Sequence, residues 1–216
     1  MDGALEFEGR AALAHQPLES TAGSLSLVMD ELAYGVLIAT VKGQLLHANL
    51  AARHELARRN VLSIQEGKLR TADAAQERML VQALAKAETG RRSLVALRHG
   101  SGRLSIAVVP LRAERPHDTP SVALLLSRPA VCDAVMLCFF ARAYGLTPSE
   151  EQVLAILCQG YSAPEIASQL NVAVSTVRSH VRSMCAKTHS NGVRALVGQI
   201  AVLPPIGASQ LQDPLH

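Results

Sequence analysis

The spacing of small, apolar and turn-forming residues between positions 162 and 187 most constrains what this chain can fold into. Asn171 stands between two helical patterns, where a tight turn needs a residue that tolerates a left-handed backbone conformation. Ala167 lies four residues earlier and is small enough to let two helices cross closely. Val177 lies six residues later and fills the crossing. This spacing predicts a helix-turn-helix motif.

The second helix of this motif, predicted from Val174 to Lys187, has two chemically different faces when residues are placed 100° apart. Its apolar face consists of Val174, Val177, Val181 and Met184. Its opposite face consists of Ser175, Ser179, Arg182 and Ser183. Basic and hydroxyl groups on an exposed helix suit DNA, because Arg and Lys neutralise phosphates and Arg can bridge the edge of guanine. We therefore predict that the apolar face docks on its own domain and that the other face binds DNA.

Capping signals on either side of the motif predict a domain of four short helices. Ser162 and Glu165 have the spacing of a reciprocal capping box at the start of the first motif helix. Thr147 and Glu150 repeat that spacing at an earlier helix, in which Pro148 takes the first helical position. With the helix that follows the motif, these signals predict an all-α domain.

The last helix of this domain is expected to run from Asn191 to Val202, with Ser190 or Asn191 as its cap. Because one recognition helix reads only a few base pairs, specific sites are usually bound by dimers across two half-sites. We therefore predict a homodimer to which the N-terminal half of the chain and an apolar stripe on this helix both contribute, with the domain's own core as the alternative role for that stripe. The stripe consists of Val193, Leu196, Val197 and Ile200.

Charge is segregated along the predicted domain, since its acidic residues precede the turn and its basic residues follow it. The basic residues are Arg178, Arg182, Lys187 and Arg194. The whole chain has a formal net charge of only +3, so affinity for DNA must come from this local patch. The alternative is a protein-docking module that binds RNA polymerase or another regulator without specific DNA readout. Salt-sensitive retention on DNA separates the two hypotheses.

Residues 146–187, LTPSEEQVLAILCQGYSAPEIASQLNVAVSTVRSHVRSMCAK, resemble the DNA-binding domain of LuxR-type transcriptional regulators. The family pattern runs LT-x-x-E-x-x-VL, then G-x-S-x-x-EIA-x-x-L, then TV-x-x-H and a later Lys. The resemblance implies a four-helix domain whose third helix enters the major groove. It also implies base and phosphate contacts by Arg178, Ser179 and Arg182, with Ser175 and Thr176 near the DNA backbone. Lys187, at the helix end, completes the predicted DNA-binding set.

One departure from the family pattern lies at the start of the recognition helix. Ala173 stands where Ser or Thr normally provides the cap. Loss of such a cap costs on the order of 0.5–2 kcal/mol. We expect a weaker helix start there, with Ser175 or water as the substitute cap.

The N-terminal half predicts an antiparallel five-stranded sheet with helices on one face. Strands are predicted at 34–40, 45–49, 93–98, 103–111 and 122–127, and helices at 25–32, 51–59 and 73–89. The order of these elements, with GVLIAT-VKGQLLHAN and the small-residue helix after it, is similar to PAS domains. The resemblance implies a dimerising domain that senses a small molecule or a partner, with a pocket between sheet and helices.

An apolar segment, Val131 to Tyr144, joins the two halves. We predict a connector helix that docks on a domain and shares in dimerisation. The predicted fold class is α+β: a PAS-like five-stranded sheet, a connector helix and an all-α LuxR-type domain. The predicted sections are a flexible tail (1–22), the PAS-like sensory domain (23–128), the connector (129–145), the LuxR-type domain (146–203) and a C-terminal tail (204–216).

Other chemistries lack a sequence signature. His47 and His54 are isolated, so we expect no haem or metal site and no cofactor. No nucleophile with a neighbouring base and no phosphate-binding loop is present, so we expect no enzyme. The four cysteines form no CxxC pair and are expected to be small buried hydrophobes in a reducing compartment. With no signal peptide or membrane span in the sequence, we expect the protein in the cytoplasm.

Overall fold

The computed structural model describes residues 18–100, 102–112, 119–127 and 134–207 of the 216-residue chain. The N-terminal elements are α1 (Leu18–Asp30), β1 (Gly35–Thr40), β2 (Leu45–Ala48), α2 (Leu50–Arg58), β3 (Leu62–Gln65), β4 (Lys68–Thr71), α3 (Ala74–Glu88), β5 (Ser93–His99), β6 (Gly102–Pro110) and β7 (Ser121–Leu126). The C-terminal elements are α4 (Ala134–Ala143), α5 (Pro148–Cys158), α6 (Ala163–Leu170), α7 (Val174–Lys187) and α8 (Val193–Ala201). Within these ranges no helix combines the length and apolar composition needed to cross a membrane.

Alternating burial along the N-terminal strands produces one five-stranded sheet. Its order is β2-β1-β7-β6-β5, and each neighbouring pair is antiparallel. Along β1, Leu37 and Ala39 are fully buried, whereas Ile38 between them is only half-buried. The buried side of the sheet shares one hydrophobic core with α2 and α3, represented by Leu56 and Leu80. The predicted α+β class and five-stranded antiparallel sheet are confirmed.

A second, two-stranded sheet formed by β3 and β4 was not predicted. Its two-residue turn, Glu66-Gly67, has positive φ at both positions (51° and 74°). Such a turn usually begins with Asn, Asp or Gly, so a turn that begins with Glu66 does not indicate a hairpin in the sequence. Each strand is only four residues long and has one buried residue, Leu62 in β3 and Leu69 in β4. Alternation over so few residues is too short to indicate a strand from sequence.

The buried side chain of Asn49 joins three elements of the sheet domain. Its Oδ1 accepts hydrogen bonds from the amides of Val36 (2.8 Å) and Ala52 (3.0 Å). Its Nδ2 donates to the carbonyl oxygens of Met29 (2.7 Å) and Tyr34 (2.9 Å). Burial of an amide is costly unless its donors and acceptors are satisfied. Asn49 therefore ties the end of α1 and the start of β1 to the start of α2.

The connector α4 packs on the C-terminal domain. Its Leu137 and Phe140 belong to the same buried cluster as residues of α5, α6, α7 and α8. This cluster is separate from the core of the sheet domain. The prediction that the connector docks is confirmed for 134–143, whereas the first residues of the predicted connector lie outside the described residues.

Two predicted helix starts differ from the structure. Helix α1 begins at Leu18, so residues 18–22 are helical and not part of a tail, while 1–17 lie outside the described residues. Helix α8 begins after Gly192, whose φ of 116° a side chain would not favour. The expectation that Ser190 or Asn191 caps α8 is therefore wrong.

We expect Asn49→Ala to destabilise the sheet domain by roughly 2–4 kcal/mol, because four backbone groups lose their hydrogen-bond partner. Urea unfolding measures the loss, and limited proteolysis of α1 locates it. Asn60→Ala provides a matched control, since Asn60 is exposed on the same domain and its loss is expected to cost less than about 0.5 kcal/mol. Equal effects of the two substitutions would contradict the role assigned to Asn49.

Candidate nucleic-acid interface

The turn between α6 and α7 has the conformation predicted for it. Asn171 adopts φ 53° and ψ 47°, in the left-handed region, and its amide donates to the carbonyl oxygens of Ala167 and Ser168. The Val172 amide donates to the Ala167 carbonyl oxygen at 3.0 Å. Ala167 is buried, and Val177 is fully buried at the crossing of the two helices. The predicted helix-turn-helix motif is confirmed.

Helix α7 is divided into a buried side and an exposed side. Val177 and Met184 are fully buried, and Val174 and Val181 pack against the same core. The exposed side chains on the helix include five of the six residues predicted to bind DNA. These five are Ser175, Thr176, Arg178, Ser179 and Arg182.

The two arginines of the exposed side lie one helical turn apart. The Arg182 Nη2 atom donates to the Ser179 Oγ atom at 3.2 Å, which holds the guanidinium along the helix. Among the described residues, neither Arg178 nor Arg182 has a carboxylate within 4 Å. Their positive charges are therefore available to a partner outside the protein.

A cleft of about 590 Å³ lies beside this exposed side, between α7 and the starts of α6 and α8. Leu157, Ala163 and Val181 line it together with the two arginines of α7. Tyr161 and Ser162 also line it, although they were not among the predicted site residues. These two residues reach the cleft because α6 packs against α7. The capping box at Ser162 was the only sequence signal near them, and it indicates a helix start and not a binding site.

The start of α7 lacks a side-chain cap. Ala173 occupies the N-cap position with extended φ and ψ, and no side chain there accepts a hydrogen bond from the helix. As expected from the sequence, α7 therefore begins without a side-chain cap. Such an end carries positive partial charge and suits an anion.

Lys187, predicted to bind DNA from the end of α7, is half-buried and pairs within its own domain. Its Nζ atom lies 2.7 Å from the Glu150 Oε2 atom and 3.0 Å from the Gly145 carbonyl oxygen. Glu150 is buried and also forms the capping box with Thr147, whose amide donates to the same Oε2 atom at 2.7 Å. Lys187 is thus part of an internal ion pair that joins the end of α7 to the start of α5.

Hydrogen bonds to the carboxylate determine the charge state of Glu150. Burial alone would raise the pKa of Glu150, but hydrogen bonds from Lys187, Ser183 and Thr147 outweigh it and lower the pKa to about 2. A buried carboxylate that stays charged is stable only when it is paired and hydrogen-bonded in this way.

The four residues predicted to form a dimer contact on α8 do not share one surface. Leu196 and Ile200 are buried in the core of their own domain, so for them the alternative of intradomain core is correct. Val197 is partly buried against that core, and Val193 is 39% exposed. A dimer contact through this whole stripe is therefore excluded by the burial of its centre.

The cysteines differ in state. Cys138 and Cys185 are free thiols, whereas Cys158 is disulfide-bonded. Cys158 is buried in the core as expected, but its disulfide bond was not expected, and Cys138 and Cys185 are only half-buried.

Comparison with known proteins identifies the C-terminal domain. Residues 145–197 match the family described as bacterial regulatory proteins, luxR family. The HTH-type transcriptional regulators MalT of Klebsiella pneumoniae (strain 342) and Cronobacter sakazakii are 36% identical over 70 residues, which are 32% of this chain and 7% of theirs. The chain thus spans less than a tenth of the length of these curated relatives. Its C-terminal domain is a LuxR-family helix-turn-helix domain.

Solved structures similar to the chain include both LuxR-type receptors and PAS domains. The phage VqmA-DPO complex gives a TM-score of 0.37 at 18% identity, covering 87% of this chain and 93% of that one. The Vibrio cholerae VqmA dimer in the absence of target DNA gives 0.34 at 16% identity, covering 85% and 86%. The PAS domain of an HTR-like protein from Haloarcula marismortui gives 0.35 at 14% identity, covering 51% and 93%.

We expect the stability of the C-terminal domain to fall by roughly 3 kcal/mol as the pH falls from about 4.5 towards 2, through the protonation of Glu150. The sign follows from the lowered pKa, since the folded state favours the charged form that is present above the ordinary pKa of 4.5. Glu150→Gln should remove this component and lower stability at pH 7. Urea unfolding followed by helical circular dichroism at pH 7 and pH 2.5 measures both effects.

The matched control is Glu151→Gln, which removes the neighbouring charge and should leave the pH dependence of unfolding unchanged. An unaltered pH profile in Glu150→Gln would show that the ion pair with Lys187 contributes nothing to stability.

Proposed function

We propose that this chain is a transcriptional regulator that binds duplex DNA by placing the exposed side of α7 in the major groove, in the cytoplasm. The observation that carries the proposal is the set of five exposed basic and hydroxyl side chains on the recognition helix of a LuxR-family domain. No carboxylate among the described residues pairs with the two arginines of that set. A surface with unpaired guanidinium groups and hydroxyls is complementary to phosphates and base edges.

The position of each side chain supports a division of roles. Arg178 and Arg182 lie at the middle of the exposed side, from which a guanidinium can reach a guanine edge. Ser175 and Thr176 lie at the uncapped helix start, which favours a phosphate. We assign no base contact to Lys187, because its ammonium is engaged with Glu150.

We expect Arg178→Ala and Arg182→Ala each to weaken binding at the preferred site by about 1–3 kcal/mol, because a bidentate contact to a base is lost. The preferred site is first selected from random duplexes with the purified protein. Fluorescence anisotropy then measures affinity for the selected and for scrambled duplexes at two salt concentrations.

Arg78→Ala is the matched control, since it removes an exposed arginine from α3 in the other domain. Equal weakening on selected and scrambled duplexes would reassign the arginines to phosphates. A protein that shows no salt-sensitive binding to any duplex would favour the docking hypothesis and end the proposal.

We further propose that the protein binds its site as a homodimer, so that two recognition helices meet two half-sites of a pseudo-palindrome. An apolar row across the outer face of the sheet supports this proposal. Leu94 pairs with Ala107, Ala107 with Leu125, and Leu125 with Val36. Leu94 is 74% exposed and Leu125 is 41% exposed, so this row leaves apolar surface on the sheet without a cover from its own domain.

We expect the double substitution Leu94→Glu with Leu125→Glu to convert a dimer to a monomer, because like charges then face each other across a two-fold contact. Analytical ultracentrifugation measures the change. The double variant should bind a two-half-site duplex more weakly while binding one half-site unchanged. Val202→Glu is the control, since Val202 is 82% exposed at the end of α8 and outside this row. A wild-type protein that stays monomeric on DNA would contradict the dimer.

We propose that the sensory domain controls DNA binding through a small molecule or a partner protein. Support comes from the position of the sheet domain ahead of the docked connector α4, which joins it to the LuxR-family domain. The predicted pocket between sheet and helices stays a prediction. Its test is a thermal-shift screen of metabolites on the whole protein, with DNA affinity measured for each compound that stabilises it.

A further inference from the structure

After α8 the chain returns to the sensory domain and pairs with it. The Ala33 amide donates to the Pro205 carbonyl oxygen at 2.7 Å, and the Gly207 amide donates to the Glu31 carbonyl oxygen at 2.8 Å. Leu32 and Ile206 lie opposite each other as an antiparallel bridge between these two bonds. We call residues 204–207 the clasp and residues 31–33 its receiving segment.

The residues of the clasp suit this pairing. Pro204 and Pro205 restrict the backbone, which reduces the entropy lost when the clasp closes. A Cβ atom at Gly207 would lie 3.2 Å from the Ala33 Cα atom and 3.3 Å from the Ala33 nitrogen. The two backbones therefore approach more closely than most side chains allow, and glycine permits that approach.

The receiving segment is held firmly on the sensory domain. Asp30, directly before it, accepts a hydrogen bond from the Leu50 amide at 2.6 Å and pairs with the Arg53 guanidinium at 3.1 Å. Asn49 holds the carbonyl oxygens of Met29 and Tyr34, which flank the segment on both sides. A force applied to residues 31–33 is thus transmitted to the starts of α2 and β1.

The other end of the clasp is held by the DNA-binding domain. The Leu203 amide donates to the carbonyl oxygen of Ile200, whose side chain is buried in the core beneath α7. Only two residues, Pro204 and Pro205, separate Leu203 from Ile206, so the chain connects the two cores over a short distance. The two domains are therefore linked twice, once through α4 and once through the clasp.

We propose that the clasp is a second tether between the domains, and that its closing fixes the orientation of α7 relative to the sensory domain. Two links restrict rotation far more than one link does, since a single connector leaves the domain free to turn about it. The clasp has two interdomain backbone hydrogen bonds and a half-exposed Ile206, so it can open without unfolding either core.

A fixed orientation has a consequence for DNA recognition, which rests on the proposed function. Two rigidly held recognition helices in a dimer match one separation of half-sites, whereas two loosely held helices match several. The clasp therefore determines how strictly the protein selects the spacing between half-sites. The partner of this contact is the chain's own residues 31–33, so a change in the sensory domain near α1 can open it.

The test uses two variants that open the clasp differently, one a substitution and the other a truncation. Gly207→Val places a branched side chain against the Ala33 backbone, and a stop codon after Leu203 removes the clasp. Gly198→Ala is the matched control, because a Cβ atom there meets nothing within 4 Å. Affinity is measured on duplexes with the preferred spacing and with the half-sites moved apart by two base pairs.

We expect both variants to reduce the ratio of these two affinities by about tenfold, the order expected when a geometric constraint on a linked pair of sites is lost. Gly198→Ala should keep the wild-type ratio. A wild-type ratio in both opened variants, in a protein that binds DNA, overturns the inference and leaves the proposed function intact.

A second measurement does not depend on DNA. Hydrogen exchange should show a protected Ala33 amide in the wild type and in Gly198→Ala, and faster exchange in both opened variants. Small-angle scattering should show a broader distribution of interatomic distances in those variants. Rapid exchange of the Ala33 amide in the wild type would show that the clasp is open, and would overturn the inference independently of DNA binding.

Discussion

The rotation of α7 about its own axis is set by two fully buried side chains, Val177 and Met184. They lie seven residues apart, close to two helical turns, and therefore point to the same side. Their removal from water stabilises the domain by about 1.5–3 kcal/mol for each side chain, and any turn of the helix would expose them. Arg178 and Arg182 face solvent because of this constraint. The surface proposed to bind DNA is thus a consequence of burial on the opposite side of the helix.

The ion pair between Glu150 and Lys187 adds a polar constraint to the same helix. The two residues lie 37 positions apart in the chain, and the Glu150 carboxylate also joins the capping box with Thr147. Replacement of either partner would leave a buried or half-buried charge without compensation. Lys187 is basic and could bind a phosphate, but its ammonium pairs with a carboxylate of its own domain. The charge of a residue at a helix end therefore does not identify the group that it binds.

The two domains differ in how polar groups contribute to their stability. In the sheet domain, Asn49 satisfies four backbone groups and fixes the end of α1. In the helical domain, capping boxes at Thr147 and Ser162 satisfy the starts of α5 and α6. The clasp connects the hydrogen-bond network around Asn49 to the hydrophobic core of the helical domain. A signal that loosens α1 can therefore reach α7 through the paired backbone as well as through the apolar contacts of α4.

The sequence alone determined the features that depend on residues close together in the chain. Two capping boxes, the left-handed turn at Asn171 and the bounds of α7 follow from contacts between residues three or four positions apart. Periodicity also predicted the five-stranded sheet, since alternating burial is a local property of each strand. The hairpin of β3 and β4 was missed because its strands are short and its turn begins with Glu66.

Only the tertiary structure decided which of several suitable partners each side chain meets. Leu196 and Ile200 fit a dimer contact or a core equally well by type, and the packing of α8 places them in the core. Lys187 fits phosphate or carboxylate equally well, and the position of α5 supplies the carboxylate. The pairing of Ala33 with Pro205 joins segments from opposite ends of the chain through backbone atoms. Backbone groups are the same in every residue, so no local pattern of side chains could have predicted it.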